Sequence, residues 1–406
     1  MLELITDLAK IHNVPGIHLG VSSANIKYKD RDDMVVVTMP DCAQVAAVFT
    51  QNAFCAAPVI VAKRHLNSSQ PRCLLINSGN ANAGTGKRGI DDALCSCQFL
   101  AEQVDCTTEQ VLPFSTGVIG EYLPMENLQK GIVDAVNDLQ VNGWQNAAKA
   151  IMTTDTRAKV ASVQVDIDGT TITVTGMAKG AGMIRPDMAT LLAYVATDAD
   201  VDAKILRHCL NNSVRSSFNR ITVDGDTSTN DSCVLIASGE TSLPQIDDID
   251  SNAYYMLSKA VGAVCEHLAK AIIRDAEGAT KFITINVLQG NSVLECEAVA
   301  YTVAQSPLVK TALFASDPNW GRLIMAIGRA GVPGLDTHDV NISINDITIV
   351  RNGVRAEDYT EAKGQAAMQP QEITINISLA RGESQVTVWT CDFSYDYVKI
   401  NAEYRT

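Results

Sequence analysis

The segment 179–190, with the sequence KGAGMIRPDMAT, holds residue types that could together perform chemistry on the chain itself. Gly180 and Gly182 allow backbone conformations that residues with a Cβ avoid. The segment ends in Ala189-Thr190 and runs straight into an apolar stretch. Such a segment could strain one peptide bond and place a threonine hydroxyl beside its carbonyl. Threonine is a poor nucleophile until a base activates it, and a freed N-terminal amine is one such base.

A second candidate group is the tripeptide Ser115-Thr116-Gly117. A Thr-Gly pair in a tight turn can present a hydroxyl and a backbone N–H to one oxygen atom. An oxyanion hole needs such donors, each of which contributes roughly 2.7–4 kcal/mol of transition-state stabilisation. On its own the tripeptide is a common loop sequence, so its interpretation depends on the rest of the chain.

Two further polar segments stand beside predicted helices. The segment 152–156, MTTDT, ends a helix-like stretch, and the segment 274–281, RDAEGATK, closes a long alanine-rich helix. Clustered threonine and aspartate often only cap and turn the chain. A carboxylate just before a glycine at a helix end, as at Glu277, is usually solvated. By themselves these residues indicate turns.

Other motifs that could carry chemistry are incomplete. The segment 84–89 satisfies GxGxxG in letters but begins several residues after the strand predicted at 73–76, which argues against a dinucleotide site. The segment 79–84 has the glycine spacing of a P-loop, but Thr85 stands where lysine is required. The segment 224–226 resembles the start of an EF-hand loop without its glycine and closing glutamate. The six histidines form no HxxxH or HxH cluster, so we expect no metal site.

Size and charge limit the classes of function. A chain of 406 residues can bury a large core and is expected to form two domains or lobes. Lys plus Arg total 32 against 46 Asp plus Glu, which gives a net charge of -14. Non-specific binding of nucleic acid or anionic membranes needs a concentrated basic surface. We therefore expect neither as a partner.

The cysteines and the N-terminal sequence indicate the compartment. Eleven cysteines are scattered along the chain, and the close pair Cys95 and Cys97 lacks CxxC spacing. Most have apolar neighbours and are expected to be small core residues. The N-terminal segment contains Glu3 and Asp7 and lacks the basic-then-apolar pattern of a signal peptide. No apolar run approaches the roughly 18 residues of a membrane helix. We expect a protein of the reducing cytoplasm.

Hydrophobic periodicity predicts helices and strands in irregular alternation. Apolar residues at helical spacing predict helices over 90–103, 126–138, 201–217 and 251–273. Asp168-Gly169 between two alternating runs predicts a hairpin of strands 163–167 and 171–174, which leads into the segment 179–190. Further strands are predicted over 282–288, 292–304, 340–350, 372–379 and 385–391. This order favours an α+β sandwich over a doubly wound parallel sheet.

Taken together, these segments closely resemble those of the glutamate N-acetyltransferase/ornithine acetyltransferase family of arginine biosynthesis. The resemblance extends from Phe49 to Thr406, essentially the whole chain. It includes the segments 221–231 and 316–322, which it implies to be loops near the active site and to whose residues we assign no role from sequence. It implies a layered α+β sandwich, with internal sheets flanked by helices, of the self-cleaving kind that uses an N-terminal threonine nucleophile.

In that family the chain cuts itself between an alanine and a threonine, and the new N-terminal threonine carries the acetyl group as an ester. The resemblance places this bond between Ala189 and Thr190. It therefore implies an N-terminal (alpha) chain of residues 1–189 and a C-terminal (beta) chain of residues 190–406 that begins with the nucleophile.

The resemblance also implies the remaining site residues. Thr116 and Gly117 match the family's oxyanion pair. The matching substrate-binding positions are Thr153, Lys179, Thr190, Glu277, Asn401 and Thr406. Thr154 and Thr156 remain alternatives to Thr153. Lys179 is expected either to pair with the substrate carboxylate or to lower the pKa of the threonine amine by like charge.

The activity implied by the resemblance is acetyl transfer from N-acetylornithine to glutamate, with acetyl-CoA as a possible co-substrate for direct glutamate acetylation. No cofactor is implied. The expected assembly is a heterotetramer of two alpha and two beta chains. Two alternatives belong to other classes. One is a self-processing aminopeptidase or amidase of related fold, and the other is a binding protein that keeps the fold and is never processed.

Overall fold

The computed structural model describes residues 2–185 and 191–403. These residues form two compact units. The first comprises residues 2–180, 185, 191–219 and 227–272, and the second comprises residues 181–184, 220–226 and 273–403. Among the described helices, none is both long and apolar enough to cross a membrane.

The first unit contains two β-sheets and the helices that flank them. Its strands are β1 (His18–Ser22), β2 (Met34–Thr38), β3 (Gln44–Phe49), β4 (Cys73–Asn80), β5 (Val111–Val118), β6 (Lys159–Ile167), β7 (Thr170–Lys179), β8 (Leu192–Thr197) and β9 (Ser232–Ala237). Its helices are α1 (Ala57–Ser68), α2 (Gly86–Val104), α3 (Met125–Asn137), α4 (Trp144–Ala150), α5 (Ala203–Ser216) and α6 (Asn252–Arg274), the last of which ends in the second unit.

The two sheets of the first unit pack face to face. One has the strand order β1-β2-β4-β5, and the other has the order β3-β9-β8-β7-β6. Buried side chains of both sheets form one core between them, where the rings of Phe114 and Tyr194 meet edge to face at 5.4 Å. Helices α2 and α3 cover the outer face of the first sheet, while α5 and α6 pack on the second. The predicted sandwich of internal sheets flanked by helices is confirmed.

The hairpin that leads into the segment 179–190 has the predicted form. Strands β6 and β7 pair antiparallel along their whole length, with Ile167 opposite Thr170. The turn residues Asp168 and Gly169 have φ angles of 52° and 84°. Positive φ at both central positions is typical of the tight turn that matches the twist of paired strands. The segment therefore begins at the end of a buried strand.

The second unit is built on a single mixed sheet. Its strands are β10 (Phe282–Gly290), β11 (Asn341–Ile344), β12 (Ile347–Arg351), β13 (Val354–Arg355), β14 (Glu372–Ser378) and β15 (Ser384–Cys391), in the order β13-β12-β11-β14-β10-β15. Its helices are α7 (Val293–Ala304), α8 (Pro307–Phe314), α9 (Trp320–Gly328), α10 (Glu361–Met368) and α11 (Tyr395–Ala402). Helices α7, α8 and α9 share a hydrophobic core with the sheet.

The strand predicted over 292–304 is wrong, because this segment forms helix α7. Ser292 caps the helix by accepting a hydrogen bond from the backbone N–H of Glu295 at 3.2 Å. The buried positions follow helical spacing and are Cys296, Val299, Ala300, Val303 and Ala304. The segment is apolar on several sides, so its periodicity does not separate a strand from a helix. The predicted strand 340–350 is likewise two strands, β11 and β12.

Candidate active site

Thr116 and Gly117 lie near the end of strand β5, beside the parallel strand β4. The sequence-based interpretation placed them in a tight turn, and this is wrong. Strand β5 is buried from Val111 through Thr116 and continues through Gly117, which is paired with Gly79 of β4. The hydroxyl and the backbone group predicted to bind an oxyanion are therefore held by a sheet.

Gly117 has to be glycine for two reasons. Its φ is +133°, a conformation that residues with a side chain rarely adopt. A Cβ at this position would also lie 2.2 Å from the carbonyl carbon of Gly79 and 2.5 Å from the backbone nitrogen of Asn80. The close approach of the two strands thus fixes the backbone at the predicted oxyanion hole.

Buried amides hold this strand end in place, and sequence reasoning missed them. The hydroxyl of Ser115 donates to Oδ1 of Asn77 at 2.6 Å. Nδ2 of Asn230 donates to the carbonyl oxygens of Ser115 and Ala81, at 2.9 and 2.6 Å. Asn77 and Asn230 are 4% and 5% exposed. An amide inside the apolar run of β4 was the available signal for Asn77, since buried polar groups are rare unless hydrogen-bonded.

Lys179, the last residue of β7, contacts the predicted oxyanion threonine. Its Nζ donates a hydrogen bond to Oγ1 of Thr116 at 3.0 Å. An ammonium group can only donate, so the threonine oxygen is the acceptor here. The hydroxyl proton of Thr116 is consequently directed away from Lys179. Sequence reasoning expected Lys179 to act on a carboxylate or an amine and did not foresee this contact.

Asp155 is the buried centre of the MTTDT segment. Its carboxylate accepts hydrogen bonds from Nζ of Lys159 at 2.6 Å, from the backbone N–H of Gly180 at 2.7 Å and from that of Thr153 at 3.0 Å. Its side chain is fully buried, whereas Thr153 is half-buried. Burial alone would raise the pKa of Asp155, but the charges of Lys159 and Lys179 and the Gly180 hydrogen bond lower it to about 2.

Asp231 is a second buried carboxyl group of the first unit, directly before strand β9. It is 3% exposed, and its Oδ2 has no hydrogen-bond partner among the described residues. Burial raises the pKa of this group well above its ordinary value, against smaller lowering effects of Ser228 and Lys179. The adjacent Ser232 N–H donates to the carbonyl of Leu191 at 2.8 Å. Sequence reasoning gave Asp231 no role.

In the second unit, Glu277 and Asn401 contact each other directly. Nδ2 of Asn401, on helix α11, donates to Oε2 of Glu277 at 2.7 Å. Glu277 is 8% exposed, and its backbone N–H donates to the carbonyl of Ala181 at 2.9 Å. Glu277 is therefore not solvated as helix-end carboxylates usually are. Asn401 binds its carboxylate, and Ala181 binds its backbone N–H.

Gly180 and Gly182 turn out to be glycine for different reasons. Gly180 has a φ of +150°, as the backbone-freedom argument expects. Gly182 does not have a positive φ. Instead, a Cβ there would lie 2.5 Å from Oε2 of Glu277, so the absence of a side chain makes room for the carboxylate.

Three predicted site residues, Ala189, Thr190 and Thr406, lie outside the described residues, and so does the predicted scissile bond. The structure brings the other predicted residues together in two groups. Thr116, Gly117, Thr153 and Lys179 belong to the first unit, and Glu277 and Asn401 belong to the second. Within residues 2–185 and 191–403, no group of three or more His, Cys, Asp or Glu side chains could hold a metal ion.

Comparisons with known proteins agree on one family. The ArgJ family model matches residues 18–406. The arginine biosynthesis bifunctional protein ArgJ of Pseudomonas fluorescens is 53% identical over 399 residues, which cover 98% of each chain. That of Methylococcus capsulatus is 53% identical over 393 residues, covering 97% of this chain and 96% of the relative. The crystal structure of the Bacillus halodurans protein of the same name is 37% identical and covers 50% of this chain and 95% of its own, with a TM-score of 0.48.

Proposed function

Because this chain belongs to the ArgJ family, we propose that it is an acetyltransferase of arginine biosynthesis that moves acetyl from N-acetylornithine to glutamate. The acetyl group travels as an ester on Thr190. The observation that carries the chemistry is the 3.0 Å contact of Lys179 with Thr116, beside a glycine whose backbone is fixed by strand β4. It leaves a hydroxyl proton available where an oxyanion forms.

Maturation precedes catalysis. The hydroxyl of Thr190 attacks the carbonyl carbon of Ala189, the C–N bond breaks as the nitrogen gains a proton, and water opens the resulting ester. The products are the chains 1–189 and 190–406. The cut frees the α-amine of Thr190, which is the base that the hydroxyl needs for acetyl transfer.

The five-stranded sheet supports tight pairing of the two chains after cleavage. Strands β3, β6 and β7 would belong to the alpha chain, and β8 and β9 to the beta chain. In the sheet, β8 pairs with β7, and β9 pairs with β3. Separating the chains would break both ladders and expose the buried faces of these strands. We propose that two alpha and two beta chains form the heterotetramer.

In the first half-reaction, Oγ1 of Thr190 attacks the acetyl carbon of N-acetylornithine, and the α-amine of Thr190 takes the hydroxyl proton. Thr116 and the backbone N–H of Gly117 stabilise the negative charge on the carbonyl oxygen. The C–N bond then breaks, and the α-ammonium returns the proton to the departing ornithine nitrogen. The enzyme is left as the acetyl ester of Thr190.

In the second half-reaction, the amine of glutamate attacks the ester carbonyl, and the same donors stabilise the second oxyanion. The bond to Oγ1 breaks, and the proton lost by the attacking amine regenerates the threonine hydroxyl. With acetyl-CoA as donor, the first step expels a thiol instead of ornithine. The chemistry uses amino-acid side chains throughout, and no cofactor is proposed.

Recognition of a small zwitterion requires charged and polar partners. Glu277 supplies a carboxylate for a substrate amine, and Lys179 an ammonium for a substrate carboxylate. Thr153, Asn401 and Thr406 supply hydroxyl and amide groups. We place the enzyme in the cytoplasm, where its eleven free cysteines would stay reduced.

Kinetics test the proposal against the aminopeptidase or amidase alternative. The enzyme is incubated with N-acetylornithine, with and without glutamate, and both N-acetylglutamate and free acetate are measured. Acetyl transfer to glutamate should greatly exceed release of acetate. Acetate as the main product in saturating glutamate would identify a hydrolase. A single band at 43.5 kDa on a denaturing gel would instead identify an unprocessed chain.

A further inference from the structure

The carboxylate of Asp224 accepts four hydrogen bonds, two of them from the consecutive backbone N–H groups of Met183 and Ile184. Oδ2 accepts from the backbone N–H of Met183 at 2.7 Å and from the hydroxyl of Tyr397 at 3.2 Å. Oδ1 accepts from the backbone N–H of Ile184 at 3.0 Å and from that of Asp226 at 3.2 Å. All of these residues belong to the second unit. Asp224 lies in the segment 221–231, to which sequence reasoning assigned no role.

Met183 needs such support because of its backbone conformation. Its φ is +54°, in the left-handed region that a residue with a Cβ enters only at an energetic cost. Met183 is also 43% exposed, so it is not enclosed by a packed core. The hydrogen bonds to Asp224 hold the consecutive N–H groups of Met183 and Ile184 in the orientation that this conformation produces.

The same short segment is fixed from its carbonyl side as well. The carbonyl oxygen of Ile184 accepts from the backbone N–H of Val223 at 2.8 Å and from the hydroxyl of Thr222 at 3.1 Å. Burial, and then the negative charge of Asp224, raise the pKa of Tyr397, so its phenol stays protonated and remains a donor. The segment is therefore held at both its N–H and its carbonyl groups, five residues before the proposed scissile bond.

We propose that Asp224 is a positioning residue for self-cleavage, which holds Met183 and Ile184 in a strained backbone geometry within the segment 179–190 that ends in the bond between Ala189 and Thr190. The inference rests on the proposed function only in taking that bond as the one that is cut. Asp224 exchanges no proton or covalent bond in the step. It acts through the backbone of Met183 and Ile184 and is not a catalytic residue.

The test follows conversion of full-length chain into the fragments 1–189 and 190–406 by denaturing gel and intact mass. Asp224→Asn is nearly isosteric, but its amide nitrogen would face two of the four donors. We expect it to slow conversion by about tenfold or more. Asp226→Asn, a change of the exposed neighbouring carboxylate, is the matched control and should cleave at the wild-type rate.

A second substitution separates positioning from a general loss of folding. Glycine adopts positive φ without the cost that methionine incurs. Adding Met183→Gly to the Asp224→Asn variant should therefore restore a large part of the cleavage rate. Adding Met183→Ala, which keeps a Cβ, should not. Cleavage of the Asp224→Asn variant at the wild-type rate, or equal rescue by glycine and alanine, would overturn the inference.

If the Asp224→Asn variant does not accumulate in soluble form, Asp224→Glu is compared with the wild type instead. It keeps the charge but moves the carboxylate away from the N–H groups of Met183 and Ile184, so cleavage should again slow and a wild-type rate would overturn the inference. The proposed function fails by a different observation. A wild-type chain that is never cut before Thr190 contradicts the nucleophile, whereas a normal wild-type cut with a normal cut in the Asp224 variants contradicts only the role of Asp224.

Discussion

Replacing Asp155 with asparagine removes the charge of one buried carboxylate and leaves its size almost unchanged. The carboxylate accepts hydrogen bonds from the backbone of Thr153 and Gly180 and pairs with Lys159, whose side chain is 2% exposed. The substituted amide would direct N–H groups at donors. We therefore expect both a loss of stability and a displacement of the residues around the predicted site.

The loss of unfolding free energy in Asp155→Asn can be estimated from the pKa of Asp155 and from its buried pair with Lys159. A pKa of about 2, against the ordinary 3.8, corresponds to about 2 kcal/mol of unfolding free energy at neutral pH. Because the folded-state pKa of Asp155 is lowered, this stabilisation is fully present above pH 3.8 and is lost as the pH falls towards 2. Asparagine also removes the carboxylate that pairs with the buried ammonium of Lys159 at 2.6 Å, and breaking a buried pair by removing one partner costs about 3–5 kcal/mol.

Urea unfolding at pH 7 of the wild type, Asp155→Asn, Lys159→Met and the double variant measures the pair by a double-mutant cycle. Asp155→Asn should lower the free energy of unfolding by about 3 kcal/mol or more. The double variant should lose clearly less than the sum of the single variants, because both substitutions remove the same 2.6 Å ion pair. A loss below about 1 kcal/mol, or additive losses, would show that the Asp155–Lys159 pair does not stabilise the fold in this way.

Three further perturbations address the substrate and the oxyanion. Thr116→Ala should lower kcat for acetyl transfer about 10²–10³-fold with little change in KM. Thr116→Ser, which keeps the hydroxyl, is the control. A change confined to KM would mean that Thr116 only positions the substrate. Removing residues 401–406 should leave self-cleavage intact and raise KM for both amino-acid substrates by about tenfold or more. Unchanged KM values would show that the C-terminal residues do not contribute to substrate binding. Gly182→Ala, which forces the Glu277 carboxylate to move, should raise KM for the amine substrates in steady-state assays, whereas Gly262→Ala, with open space around it, should not.

Local patterns predicted much of the fold. Helices α2, α3, α5 and α6 lie where helical spacing placed them, and Asp168-Gly169 marks the hairpin of β6 and β7. Helix α7 was missed because apolar residues occur on several of its faces. A signal was present, since Ser292 precedes Glu295 by three positions, and this pattern often begins a helix.

The candidate site was predicted from sequence only as a set of residues. Thr116 lies near the end of a strand and accepts a hydrogen bond from Lys179. Both features depend on the pairing of strands that are distant in sequence. Asp155 looked like a turn residue because its partner Gly180 is 25 positions away. Sequence motifs indicate which side chains are involved, whereas the hydrogen bonds that orient them arise from tertiary packing.

In the proposed mechanism, Thr190 becomes the N-terminal residue of a separate chain and carries the acetyl group. Intact-mass spectrometry of the enzyme, quenched in acid after incubation with N-acetylornithine alone, tests it directly. We expect a chain 190–406 that gains about 42 Da on its first residue and loses this mass when glutamate is added, with N-acetylglutamate formed. An acetyl group on any other residue, or continued transfer by an enzyme that is never acetylated, would contradict it.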